Sequence, residues 1–168
     1  MQANLYQSFS NLILYLNEER KDREEYIKNI HHSQEDLWPF GISGDLPIVL
    51  LVIDKDEDMN ILRQVVNMHY YWKVLGLKSD LIIYNEEASS YEEPLQNSII
   101  TYLKNSLQKD NLNKNGGVFI HNKSTMNEEI LNFLKGIASL YINSNNGALM
   151  EQFSNNINDR RKNYIRHK

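Results

Sequence analysis

Cysteine is absent from the 168 residues. The chain therefore has no disulfide, no thiolate metal site and no cysteine nucleophile, which fits a reducing compartment. An excess of positive charge is missing too: 18 Lys and Arg stand against 22 Asp and Glu, a net charge of -4. A nucleic-acid partner would need a basic face to neutralise phosphates, so none is expected. The longest purely apolar run, Ile48 to Ile53, is far short of the roughly 20 residues that cross a bilayer. The start, Met1-Gln2-Ala3-Asn4, sets no basic segment ahead of an apolar one, as a secretory signal would. The expectation is a soluble, cytoplasmic piece. With no His-x-x-x-His pair and no Cys, neither a metal nor a cofactor is expected.

What is present reads as one globular domain, 41% hydrophobic and 24% charged. Leu5, Phe9, Leu12, Ile13 and Leu16 recur at helical spacing, and residues 18–28 mix both charge signs. Residues 1–36 are thus expected to form an N-terminal helical arm. Leu37 to Asp45 is excluded from a helix interior, because Pro39 disfavours the helical region at Trp38 and two glycines follow. From Pro47 the pattern is regular. Ile48–Ile53 reads as a strand buried on both faces, and a helix follows with Ile61, Leu62, Val65, Val66, His69, Trp72 and Leu75. Gly76 stops that helix in Schellman fashion, ahead of a second strand, Leu81 to Tyr84. A helix opens at Pro94 and carries Leu95, Ile99, Tyr102, Leu103 and Leu107. A third strand is Val118 to Ile120. A last helix starts from the capping-box spacing Thr125 to Glu128 and runs through Ile130, Leu134, Ile137 and Tyr141.

This βαβαβα order predicts a three-layer, Rossmann-like α/β domain with a small parallel sheet over residues 37–153. Residues 154–168 form a basic tail. Asparagine is scattered throughout, 22 of 168 residues, which argues against reading function into pairs such as Asn145-Asn146.

Asp54-Lys55-Asp56-Glu57-Asp58 resembles the opening of a calcium loop, but Met59 stands where the loop needs Gly and Val65 where it needs Glu. Acids placed there favour the positive end of a helix instead. Gly41-Ile42-Ser43-Gly44-Asp45 lacks the second Gly of a nucleophile elbow and precedes a strand rather than following one. Open α/β sheets bind ligands at the carboxyl ends of their strands. Here those ends carry Asp54, Asn85, Glu86, His121 and Asn122, among which Glu86 and His121 would do acid–base work if paired. His69 lies on an apolar helix face and is read as a hydrogen-bonded core residue. Trp38, Tyr84 and Tyr91 are candidate aromatic platforms for a sugar.

Leu37-Trp38-Pro39-Phe40-Gly41-Ile42-Ser43-Gly44-Asp45-Leu46-Pro47-Ile48 resembles a segment of the cyclic β-1,2-glucan synthases and their carbohydrate-phosphorylase relatives, glycoside hydrolase family 94 (formerly glycosyltransferase family 36). Ala3 to Gln7, His69 to Trp72 with Gly76-Leu77, Asp80 to Glu86, Gly116 to Phe119 and Gly147 to Gln152 fit in the same order. The resemblance covers residues 3–153 and rests most on Trp38, Gly41, Ser43, Gly44 and Asp45. It implies a non-catalytic stretch between a β-sandwich and the (α/α)6 barrel that holds the chemistry. No catalytic residue of the barrel has a counterpart here, so the chain alone is expected not to be an enzyme. The implied partner is the remainder of a larger chain, itself open to membrane association, with β-glucan as a candidate ligand. An apolar surface is expected on the N-terminal helix and the Trp38-Pro39-Phe40 turn, and pairing of two such arms would make a homodimer.

Overall fold

The computed structural model describes residues 32–88, 91–149 and 151–152. The helix expected from Leu5 to Leu16, the homodimer contact expected of it and the basic tail lie outside the described residues. Four strands form one parallel sheet: β1 (Ile48–Ile53), β2 (Asp80–Asn85), β3 (Val118–Asn122) and β4 (Leu140–Asn143), in the order β3-β2-β1-β4. Helices α1 (Met59–Val74), α2 (Pro94–Lys104) and α3 (Glu128–Ile137) make the connections.

Every residue of β1 and of β2 is buried, which explains the unbroken apolar run of β1: helices cover both faces. Val49, Leu51 and Ile53 face α1 and α2, packing with Leu62, Trp72 and Leu95. Ile48, Leu50 and Val52 face the other way, onto Leu131 and Leu134 of α3 and onto Leu37 and Ile42. The result is the expected three-layer α/β domain. Two helices lie on one face and one on the other because the chain steps from β1 to β3 in one direction, then returns across the sheet to β4. Right-handed crossovers demand that switch of face.

Three sequence expectations need correction. The run through Ile137 and Tyr141 is not one helix. Helix α3 ends at Ile137, and Leu140–Asn143 is a fourth strand, paired Val49↔Leu140 to Val52↔Asn143. The cap of α3 is Asn127, whose side chain accepts from Ile130 N–H, rather than Thr125. Residues Gln34–Phe40 form a 3₁₀ helix with Pro39 inside it. The exclusion of helix there holds only for the α form, since the tighter i→i+3 winding is built from short pieces that Pro tolerates near an end. Gly76 closes α1 as expected: at φ 85°, its N–H reaches Lys73 O at 3.0 Å, and Leu77 N–H reaches Trp72 O at 2.9 Å. Trp72 is fully buried.

His69 is likewise a core residue. Its Nε2 lies 2.7 Å from the Ser79 carbonyl, which can only accept, so the ring proton sits on Nε2. Nδ1 must then accept, and Gln108 Nε2 donates to it at 2.8 Å. Asn111 Nδ2 holds the Gln108 carbonyl oxygen at 2.9 Å. Burial pulls the His69 pKa down from 6.5 to about 4.

Candidate functional site

The strand order decides where a crevice opens. The chain reverses direction between β1 and β4, and this switch point is where open α/β sheets bind ligands. Asp54 follows β1 directly at that point. Its Oδ2 accepts from Asn145 Nδ2 at 3.0 Å, and its buried Oδ1 has no hydrogen-bond partner. Asp58 accepts three bonds on Oδ2: from Ser144 Oγ at 2.7 Å and from the N–H groups of Asp54 and Lys55 at 3.1 and 3.3 Å. Burial pushes the Asp58 carboxyl up, but the Ser144 hydroxyl and the two backbone donors outweigh it and hold the pKa below its ordinary value. Asp58 is thus a staple between the end of β1 and the loop after β4, which accounts for the acidic run without calcium. Asn145 belongs to the same staple, a contact that asparagine-rich composition conceals.

A cavity of about 430 Å³ lies beside Asp54 on the α3 side of the sheet. Glu86, just past β2, and Glu128, at the start of α3, supply two more carboxylates to its wall. Lys123 and Lys135 stand in the same wall, and Tyr84, Met126 and Leu131 give it an apolar part. Tyr84 donates to Met126 O at 3.4 Å; burial, then the charges of Glu86 and Glu128, push its phenol pKa up. Among the described residues, the ion pairs are those of His32 with Asp36 and Glu129. The two lysines and three acids of the cavity therefore share one wall without pairing.

The five strand-end residues read from the sequence do not converge. Asp54 and Glu86 line this cavity. Asn85 and Asn122, opposite one another in register, line a smaller one of about 30 Å³. Asn85 is engaged with Gln96 and Glu87 N–H, and Asn122 Oδ1 accepts from Ser124 and Thr125 to close the turn after β3. His121 borders neither cavity. Its Nε2 meets Phe40 O and its Nδ1 meets Thr125 Oγ1, each at 3.2 Å, while burial lowers its pKa. A Glu86–His121 acid–base pair is not formed. Lys123, next to the strand-end Asn122, and Glu128 and Lys135 of α3 escaped the sequence reading; the return of α3 over the sheet sets the latter two beside Asp54 and Glu86.

The Trp38 string forms a self-knit turn. Trp38 Nε1–H donates to Ser43 O at 3.2 Å, Gln34 Nε2 to Ser43 O at 2.8 Å and to Asp45, and Ser43 Oγ to Asn115 at 3.1 Å. Gly41 ends the 3₁₀ helix in the left-handed region. Gly44 sits at φ 78°, where a Cβ would also meet Gln34 at 2.4 Å. The Trp38 ring is 58% exposed and Tyr91 fully so, whereas Tyr84 is only 2% exposed and offers no open platform.

A further groove, between the first turns of α1 and one face of α2, holds Arg63 over the Tyr102 ring at 5.7 Å. No group of three or more His, Asp or Glu side chains among the described residues is placed to hold a metal ion. No helix among them is long and apolar enough to cross a membrane.

No protein-family model matches the chain. It is similar to the cyclic beta-(1,2)-glucan synthase NdvB of Rhizobium meliloti (strain 1021), 28% identical over 154 residues, which is 91% of this chain and 5% of that protein. The chain spans about 5% of the length of the relative it matches, and the likeness accords with the strings read between Ala3 and Gln152.

Proposed function

We propose that the chain is a non-catalytic α/β domain of a glucan-synthase-type protein, in the manner of glycoside hydrolase family 94. There it braces the catalytic barrel or shapes the path of the glucan. One observation carries this reading: nearly the whole chain, 91% of it, corresponds to only 5% of a synthase. A segment of that size is one module among many. The non-catalytic part is supported by His121, whose two ring nitrogens are engaged away from Glu86. Incubated with β-1,2-glucan, with or without inorganic phosphate, the chain should release neither sugar phosphate nor reducing ends. Turnover above a denatured control, lost on Glu86→Gln or His121→Ala, would replace this reading with an independent enzyme. Bracing has its own test. Exchange of the matching segment in a full synthase for a flexible linker should lower the yield of soluble protein more than the kcat of what survives. An unchanged yield would refute it.

A second reading, a carbohydrate-binding module with an aromatic platform, is favoured by Trp38. Its ring is exposed while its N–H is tied to Ser43 O, so what solvent meets is a fixed apolar face.

A further inference from the structure

We infer that the cavity beside Asp54 binds an uncharged sugar, a glucosyl unit, through Asp54, Glu86 and Glu128 on one hand and Lys123 and Lys135 on the other. The choice of a glucosyl unit rests on the function proposed above; the choice of an uncharged polyol rests on the cavity itself.

The wall carries three carboxylates and two ammonium groups, none ion-paired with another among the described residues. Asp54 Oδ2 already takes Asn145 and Lys135 Nζ lies 5.8 Å over the Tyr141 ring, so Glu86, Glu128 and Lys123 are the open groups. A phosphate would sit against the three carboxylates, and a divalent cation against the two lysines. A hydroxyl group suits both, since it donates to a carboxylate and accepts from an ammonium, making charge-assisted bonds each way. Vicinal hydroxyls also match the two oxygens of one carboxylate. At about 430 Å³ the space falls within the range of small-molecule sites. It also adjoins the switch point of the sheet, where this fold class binds ligands.

The test is a titration of the whole chain followed by backbone amide NMR. The probes are sophorose (the β-1,2-linked glucose disaccharide), inorganic phosphate and Mg²⁺. Sophorose should give saturable shifts at Glu86, Lys123 and Glu128, with phosphate and Mg²⁺ silent there. Glu86→Gln and Lys123→Met should each weaken binding about ten-fold, as loss of one charge-assisted bond does, while Trp38→Ala leaves it intact. Neither Glu86 nor Lys123 is buried, so folding is retained and a melting curve verifies it. Saturation by phosphate or Mg²⁺ with sophorose silent would overturn the assignment. So would sophorose binding abolished by Trp38→Ala alone, an outcome that keeps the carbohydrate role and moves it to the Trp38 turn. Absence of any shift at millimolar sophorose would overturn the cavity and leave the bracing role to its separate segment-exchange test.

Discussion

Acidification should destabilise this domain through His69. In the folded protein the ring is buried, donates to Ser79 O and accepts from Gln108, so it stays neutral until about pH 4. In the unfolded chain it takes a proton near 6.5. The folded pKa is thus depressed: stability is complete above 6.5 and is lost as pH falls toward 4. Each pH unit between the two values is worth 1.36 kcal/mol, so the loss reaches about 3 kcal/mol. That is a large part of the 5–15 kcal/mol typical of a domain. A protonated ring would also turn Nδ1 into a donor facing the Gln108 amide, itself held by Asn111 and therefore unable to rotate freely. Urea unfolding of the wild type and of His69→Phe at half-unit steps from pH 8 to 4.5 isolates the effect, because other titrating groups cancel in the difference. His69→Phe should be less stable at pH 8, having orphaned Ser79 O and Gln108, yet its stability should fall less on acidification. Parallel curves for the two proteins, or an imidazole resonance of His69 titrating near 6.5, would refute the argument.

Trp72 is fully enclosed between α1 and the sheet, and Trp72→Ala should cost about 3–5 kcal/mol in chemical denaturation; an unchanged midpoint would mean that the helix face was misplaced. Asp58→Ala removes a buried acceptor of three bonds and should cost about 3 kcal/mol at pH 7, given 1.5–3 for one bond to a charged group and incomplete additivity. The folded carboxyl has its pKa below the ordinary 3.8, so this contribution is present above that value and fades as pH falls beneath it. The gap between Asp58→Ala and wild type should therefore narrow in acid, and a gap constant with pH would show that the carboxylate charge is immaterial.

By itself the sequence determined the layered α/β class. A run of six branched and apolar residues such as Ile48–Ile53 suits a strand covered on both faces, and the 3.6-residue spacing from Leu62 to Trp72 suits a helix laid over it. Those signals are local, as are Gly76 as a helix stop and Pro94 as a helix start. The burial of Trp72 and the bonded state of His69 follow from the same periodicity. Tertiary structure decided the rest. Ile130, Leu134, Ile137 and Tyr141 continue one helical stripe on paper, and the strand-forming Tyr141 and Ile142 are too short a run to break it. That segment is extended because the free edge of β1 offers backbone donors and acceptors that a helix would leave unmet, and four residues of parallel pairing satisfy them. The added strand then moved the chain reversal to the β1/β4 boundary. The five strand-end polar residues were dispersed as a consequence, Asp54 and Glu86 to one cavity, Asn85 and Asn122 to another, and His121 to the Phe40 carbonyl. Lys123, Glu128 and Lys135 joined Asp54 and Glu86 instead. Residues at the ends of different elements carry no spacing rule that links them, and only the path of α3 back over the sheet brought them to one wall.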